Sequence, residues 1–338
     1  MLKKLKVLDL PCVYTANAFV FGGRSLIGAG SEKTDPSYLV DLDTLQSAEV
    51  ARAPGGMMSF LPVPEDPHHL VSVMGLFPPF ISRESGIYVH SNQGGSWHTR
   101  QVIDLPFSHR CEILRHGGRN HLFVATVSRH KANPTDWSQP GELYHVDLAN
   151  VTDCTWKTTL LKNDLVRNHG MIKTVVNGIE SVCISGETGI FAIQPGPAGG
   201  WKLTRLFESE VSEFAFIDLD GDGVDELATI EPFHGNRFVI HKKIGSVWKE
   251  QFSSPLSFGH GLSAGIFYGQ PVVVVGNRTG PETLELHRVR DLARGLVETT
   301  VIEEHATPTQ TKVFTHHGRD YILSANQLRN EVALYYQP

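Results

Sequence analysis

The sequence predicts an all-β fold: a seven-bladed β-propeller closed by the N-terminal strand pairing in the last blade. Three observations predict it. First, short β-branched or aromatic runs such as HLFVATVS (121 to 128), RFVIHKK (237 to 243) and QPVVVVGN (270 to 277) alternate with Gly, Pro, Asn and Asp, and no segment has helical length or period. Second, one unit recurs. A polar or small-residue turn leads into an apolar run, a Gly turn, and further strands. The residues leading each unit are Tyr14, Met57, His109, His169, Glu213, His260 and Gln310, at steps of 43, 52, 60, 44, 47 and 50. Repeats of this length suit four-stranded propeller blades. Third, residues 309 to 336 hold only three strands (TKVFTHH, RDYILSAN, EVALYYQ), and LKKLKVLDL at the other end supplies a fourth. Pairing them removes an open sheet edge.

Composition bounds the rest. A chain of 338 residues, 41% hydrophobic, can bury a sizeable core as one domain over 1–338 without staples. No apolar run approaches the roughly 20 residues of a membrane span, and Met1 to Leu10 lacks a signal-type apolar stretch. A cytoplasmic location with no membrane association is expected. Thirty basic against 36 acidic residues, with no basic cluster, disfavour nucleic acid. Cys12, Cys111, Cys154 and Cys183 form no CxxC pair and are expected as reduced, mostly buried thiols. The 17 histidines stand out, exceeding the 8 Tyr and 5 Trp together.

The sharpest local motif is Asp218-Leu219-Asp220-Gly221-Asp222-Gly223-Val224-Asp225-Glu226. Asp218, Asp220, Asp222 and Asp225 on a glycine-bent loop converge on one hard cation, Ca²⁺ or Mg²⁺. Thr229 stands where an EF-hand would place its bidentate Glu, and strands flank the loop. A solvated acidic turn is the plain alternative. Residues 213 to 230 resemble the FG-GAP (VCBS-like) repeats of integrin-type propellers. That resemblance implies a calcium loop between the first two strands of a blade.

The leading residues are the second constellation. In a propeller they sit near one mouth of the channel, so Tyr14, Met57, His109, His169, Glu213, His260 and Gln310 would form a ring. His109, His169 and His260, with Glu213 or Gln310, suit a divalent transition ion such as Zn, Mn or Fe. The bland alternative is polar residues that hydrate a channel. Blade 3 adds a long loop, SRHKANPTDWSQPGE (128 to 142), with His130, Lys131, Asp136 and Trp137. Its Lys could serve as base or cation and its Trp as a sugar-stacking platform, or the loop is merely surface decoration. Gly261 to Gly265 fits GxSxG but lies within a strand, not on a strand-to-helix elbow, and is set aside.

Over most of the chain, PFSHRCEI, the HKANPTDWSQPG loop, RNHG and DLDGDGVDEL resemble the propeller of fungal aldos-2-ulose dehydratases and related bacterial proteins. The resemblance implies a lyase that eliminates water from a small keto-sugar or related saccharide. A channel ion would stabilise the enolate. Lys131, His130, Tyr14 or Arg110 would move protons, while Trp137, Asp136 and Met57 would contact substrate. Strand alternation would turn Arg110 away from the channel if His109 faces in. The contrasting expectation is a non-catalytic propeller that binds a glycan or protein, with a structural calcium site. The oligomeric state is not written in the sequence.

Overall fold

The computed structural model describes residues 2–81, 84–153 and 155–338. Cys154 lies outside them. Cys12, Cys111 and Cys183 are free thiols, the last two buried.

The chain opens with β1 (Lys3–Asp9). Blade 1 holds β2 (Val13–Phe21), β3 (Arg24–Ser31), β4 (Ser37–Asp41) and β5 (Ser47–Ala51); blade 2 holds β6 (Ser59–Pro62), β7 (His69–Met74), β8 (Gly86–Gln93) and β9 (Ser96–Asp104). Blade 3 follows with β10 (Ser108–His116), β11 (Arg119–Thr126), β12 (Gly141–Asp147) and β13 (Thr159–Leu165), and blade 4 with β14 (Met171–Val176), β15 (Ile179–Gly186), β16 (Gly189–Pro195) and β17 (Trp201–Phe207). Blade 5 holds β18 (Phe214–Ile217), β19 (Glu226–Glu231), β20 (Arg237–Ile244) and β21 (Val247–Pro255); blade 6 holds β22 (Gly259–Phe267), β23 (Gln270–Asn277), β24 (Leu284–Asp291) and β25 (Leu296–Glu303). Blade 7 is β26 (Pro308–His316), β27 (Arg319–Asn326) and β28 (Glu331–Tyr336), completed by β1.

The architecture is the seven-bladed propeller that the repeats predict, with the expected closure. β1 runs antiparallel to β28, pairing Leu5 with Leu334 and Lys4 with Tyr335. Lys4 adds ion pairs to Glu303 (2.9 Å) and Glu331 (2.5 Å). The N-terminal strand therefore covers an edge whose N–H and C=O groups would otherwise be open to other chains.

The described residues form two compact units, Met1–Ala18 with Glu210–Pro338, and Phe19–Ser209. In the first, Ile230, Phe238 and Ile240 pack with Leu262, Val273 and Val275 between blades 5 and 6, and Val272, Val274 and Leu286 pack with Ile322 and Ala333 between blades 6 and 7. In the second, Leu26 and Leu39 meet Phe60 and Leu70 between blades 1 and 2, while Phe123 and Leu143 meet Val182 and Ile193 between blades 3 and 4. Cores therefore lie between neighbouring sheets, where both faces of each sheet can be covered. This is why the central strands read as nearly continuous apolar runs, not as strict alternation.

A polar residue recurs at one place on the third strand of several blades, and four histidines fill it, His90, His241 and His287 buried and His145 half-buried. His90 lies opposite Leu70 and Thr99, His145 opposite Phe123 and Thr159, His241 opposite Leu227 and Glu250, and His287 opposite Val273 and Thr299. His90 bonds Ser72 Oγ and Thr99 Oγ1, both at 2.8 Å. His287 bonds Thr299 Oγ1 (3.0 Å), and His241 bonds Glu231 (2.7 Å), which also accepts from Thr229. His145 bonds His121 at 3.0 Å. In blade 7 the matching residue is Tyr335, whose hydroxyl accepts from Asn326 and donates to Glu303. Each such residue ties neighbouring strands together and fixes their register, because a slip would strand a buried polar group.

Burial pushes the His90 imidazole down to about 3. Between pH 6.5 and 3 an unfolded His90 takes up a proton that the folded one refuses, so stability present at neutral pH is lost as pH falls through that window, by about 1.4 kcal/mol per pH unit. His90→Gln is expected to flatten the acid limb of stability, measured by urea unfolding from pH 7 to pH 4, by close to one proton. An unchanged slope would refute this account.

Candidate functional site

Three of the leading residues, His109, His260 and Gln310, fall at or beside irregularities of the first strands. Pairing slips between Ser108 and Arg110 in β10, between His260 and Leu262 in β22, and between Pro308 and Thr311 in β26. A bulge inserts a residue and re-aims its neighbours. His109 is the extra residue, so strand alternation fails there, and His109 and Arg110 are both buried at 4% and 8% exposure. Arg110 is thus kept inside, contrary to the alternation argument.

In the unit of Phe19–Ser209, His109 and His169 come together with ring centroids 4.9 Å apart. Arg110 donates from Nη1 to Met58 O (2.8 Å) and from Nε to His169 O (3.2 Å), so its guanidinium clamps the backbone of blades 2 and 4. Met57, expected to contact substrate, is buried in the core of blades 1 and 2, and a Cβ at Gly30 would collide with its side chain. The missing side chain at Gly30 is what lets Met57 pack there.

The loop joining β11 to β12 is ordered by its own side chains. Ser128 Oγ bonds His130 O and Gln139 O, and Asp136 accepts from the N–H groups of Ala132 and Ser138. Those N–H groups hold the Asp136 carboxyl down at about 2. Lys131 is buried with its ammonium 3.6 Å from the centre of the Trp137 ring, a cation–π contact. Burial lowers its pKa. His130 is exposed.

In the other unit, His260 is fully buried, its Nδ1 2.6 Å from Thr309 O and its Nε2 3.3 Å from the Tyr14 hydroxyl. The carbonyl can only accept, so Nδ1 carries the proton and Nε2 accepts from Tyr14. Sequence reasoning missed two neighbours, His234 and Arg278. His234 lies with its ring 5.3 Å from that of His260, stacked on Phe233 and Phe258, and Arg278 sits over the rings of Tyr14 and Phe258. Their signals, a lone His in EPFHG and a lone Arg in GNRTG, carry no repeat phase. Gln310 Oε1 accepts from Thr15 Oγ1 (2.7 Å) and Ala16 N (2.9 Å), which ties β26 to β2. Glu213, just ahead of β18, is buried.

The acidic loop closes in the same unit. Asp218 accepts from the N–H groups of Gly221 and Gly223, and Asp222 from that of Val224. Asp218, Asp220 and Glu226 place carboxylate oxygens within 4.8 Å of one another. Glu226, absent from the expected set, is fully buried and accepts from Leu219 N (2.7 Å). Asp225 instead feels burial and the Asp218 charge, which raise its pKa. The Lys242 ammonium lies 2.5 Å from Asp220, 2.7 Å from Asp222 and 3.3 Å from Glu226. Three oxygen donors fit a hard cation, and Lys242 already supplies one positive charge there. Lys242→Ala is expected to lower the melting temperature in EDTA, with millimolar Ca²⁺ restoring most of the loss. If the variant melts like the parent in EDTA, the carboxylates need no cation.

No helix among the described residues is long and apolar enough to cross a membrane. No family model and no curated protein matches the chain, so the FG-GAP and dehydratase resemblances rest on the motifs quoted above. Solved structures do match. The chain is similar to the Cps50 (Swd1) β-propeller domain of Myceliophteria thermophila, with TM-score 0.62 and 8% identity over 100% of both chains. It is similar to the Dos1 propeller, with TM-score 0.58 and 10% identity over 96% of this chain and 78% of that one. Saccharomyces cerevisiae Sqt1 gives TM-score 0.55 and 10% identity over 96% and 84%. At such identities the likeness establishes the β-propeller fold alone.

Proposed function

We propose that the chain is a binding propeller that holds a glycan or protein partner through its loops, with the acidic loop of blade 5 serving structure. The observation that carries this reading is that four of the expected site residues are used by the protein itself. Both ring nitrogens of His260 are engaged, Gln310 Oε1 accepts two hydrogen bonds, Arg110 holds two carbonyls, and Lys131 lies buried over Trp137. Groups fixed this way are costly to free for proton transfer, because each move leaves a buried partner unsatisfied. They suit a rigid scaffold that presents loops for recognition. The half-buried indole of Trp137, backed by an ammonium, offers a flat face to a sugar ring or a peptide side chain.

One observation favours a second reading, a hydro-lyase acting on a keto-sugar. The bond from Nδ1–H of His260 to Thr309 O orients the Nε2 lone pair toward the Tyr14 hydroxyl. That is the arrangement an acid–base pair needs. Elimination would then take the proton α to the carbonyl onto a base and deliver a proton to the departing hydroxyl, forming an enone and water.

Two measurements separate these readings: transition-metal content of the purified protein, and ultraviolet absorbance with a keto-sugar panel. The binding reading expects no stoichiometric transition metal and no new enone absorbance, together with glycan or peptide array signals lost in Trp137→Ala. Enone formation that falls at least 100-fold in Tyr14→Phe would overturn it in favour of the lyase. Array signals unchanged in Trp137→Ala would remove the loop from either account.

A further inference from the structure

A second site lies within the unit of Phe19–Ser209, at the end of blade 2 remote from Met57. A cavity of about 350 Å³ opens between the β2–β3 turn of blade 1 and the β8–β9 turn of blade 2. We propose that it is a saccharide pocket that takes a neutral pyranose against Trp97, independently of the leading-residue region and of the β11–β12 loop.

The cavity is built from two kinds of surface. Its floor is the apolar core of blades 1 and 2, where Phe21, Leu26 and Leu39 are buried. Trp97 packs on that core, its ring 5.9 Å from that of Phe21, while remaining half-buried. An indole fixed on one side and open on the other is the surface that the C–H face of a pyranose covers. At the turns, Gly22 and Gly95 both adopt positive φ (57° and 92°), and a side chain at Gly95 would enter open space. The approach to Trp97 is therefore clear at that glycine.

The polar complement sets the ligand class. Asp41 is buried and saturated: Oδ1 accepts from Asp43 N, Thr44 N and Thr44 Oγ1, and Oδ2 pairs with Arg24. These donors hold its carboxyl below the usual range. The Arg24–Asp41 pair is neutral as a unit, so nothing selects a charged ligand. Arg24 keeps further N–H donors. The Gln46 side chain, Asn92 Nδ2 and the Trp97 indole N–H make no hydrogen bond among the described residues, and all these residues line the cavity. Donors and an amide acceptor ringing an aromatic wall match hydroxyl groups, each of which donates and accepts. The size falls at the small end of ligand pockets, which suits one or two rings.

The test is saturation-transfer NMR and titration calorimetry with methyl glucosides, methyl galactosides, maltose and cellobiose. At least one of these sugars is expected to bind in the millimolar range or tighter. Gln46→Ala, which alters an exposed side chain with no structural bond, should weaken binding several-fold. Trp97→Ala should weaken it at least tenfold, and Trp97→Phe should recover part of the loss. Trp137→Ala should leave this binding unchanged while removing the array signals expected of the loop, so failure of one site is distinguishable from failure of the other. The proposal is overturned if no sugar in the panel shows saturation transfer, or if binding survives Trp97→Ala and Gln46→Ala unchanged in proteins that melt like the parent.

Discussion

The structure depends first on a buried polar rung on the third strand of blades 2, 5, 6 and 7. Apolar residues on both faces of a sheet would pack nearly as well one residue out of register, so burial alone specifies pairing weakly. A buried imidazole or phenol does not tolerate the slip. Its partners lie at fixed places on the flanking strands, as Ser72 and Thr99 do for His90, and losing them costs a desolvated polar group. The same device uses Thr299 with His287, Glu231 with His241, and Asn326 with Tyr335. Four of the 17 histidines, His90, His145, His241 and His287, thereby serve the scaffold.

A fixed register makes the irregularities at the strand starts informative. Bulges leave His109 in β10, Gly261 in β22 and Thr309 with Gln310 in β26 outside the regular pairing. At His109 and Arg110 this yields an imidazole and a guanidinium buried side by side, an arrangement that regular alternation forbids. Next to the bulged Gly261, the His260 ring is held by a carbonyl and a phenol. Arg110 and His260 are held because the protein satisfies them, which lowers the entropic cost of recognition and raises the cost of proton transfer.

The acidic loop shows the same economy. Carboxylates grouped around Asp218 require positive charge, and Lys242 reaches them from the third strand of the same blade. An ammonium brings one charge and few directional demands, whereas a divalent ion would bring two and a full oxygen shell. Burial raises the Glu226 pKa despite the nearby ammonium, which marks Glu226 as the residue with most to gain from a stronger cation.

The sequence by itself determined the blade count, the closure by residues 3 to 9, the acidic loop and the positions leading each first strand. All of these follow from local turn chemistry and a repeat of about 49 residues, and both are properties of the chain read in order. The third-strand histidines were also in the sequence, but their shared phase emerges only when strands pair, because connections of different length hide it. What Arg110, Met57 and Gln310 do was decided by tertiary structure. A bulge, a close approach to Gly30 and a hydrogen bond to β2 each depend on where a neighbouring strand lies, and no spacing along the chain encodes that. The pocket beside Trp97 belongs to the same class, since Phe21, Gln46 and Trp97 share a wall only after two sheets have packed.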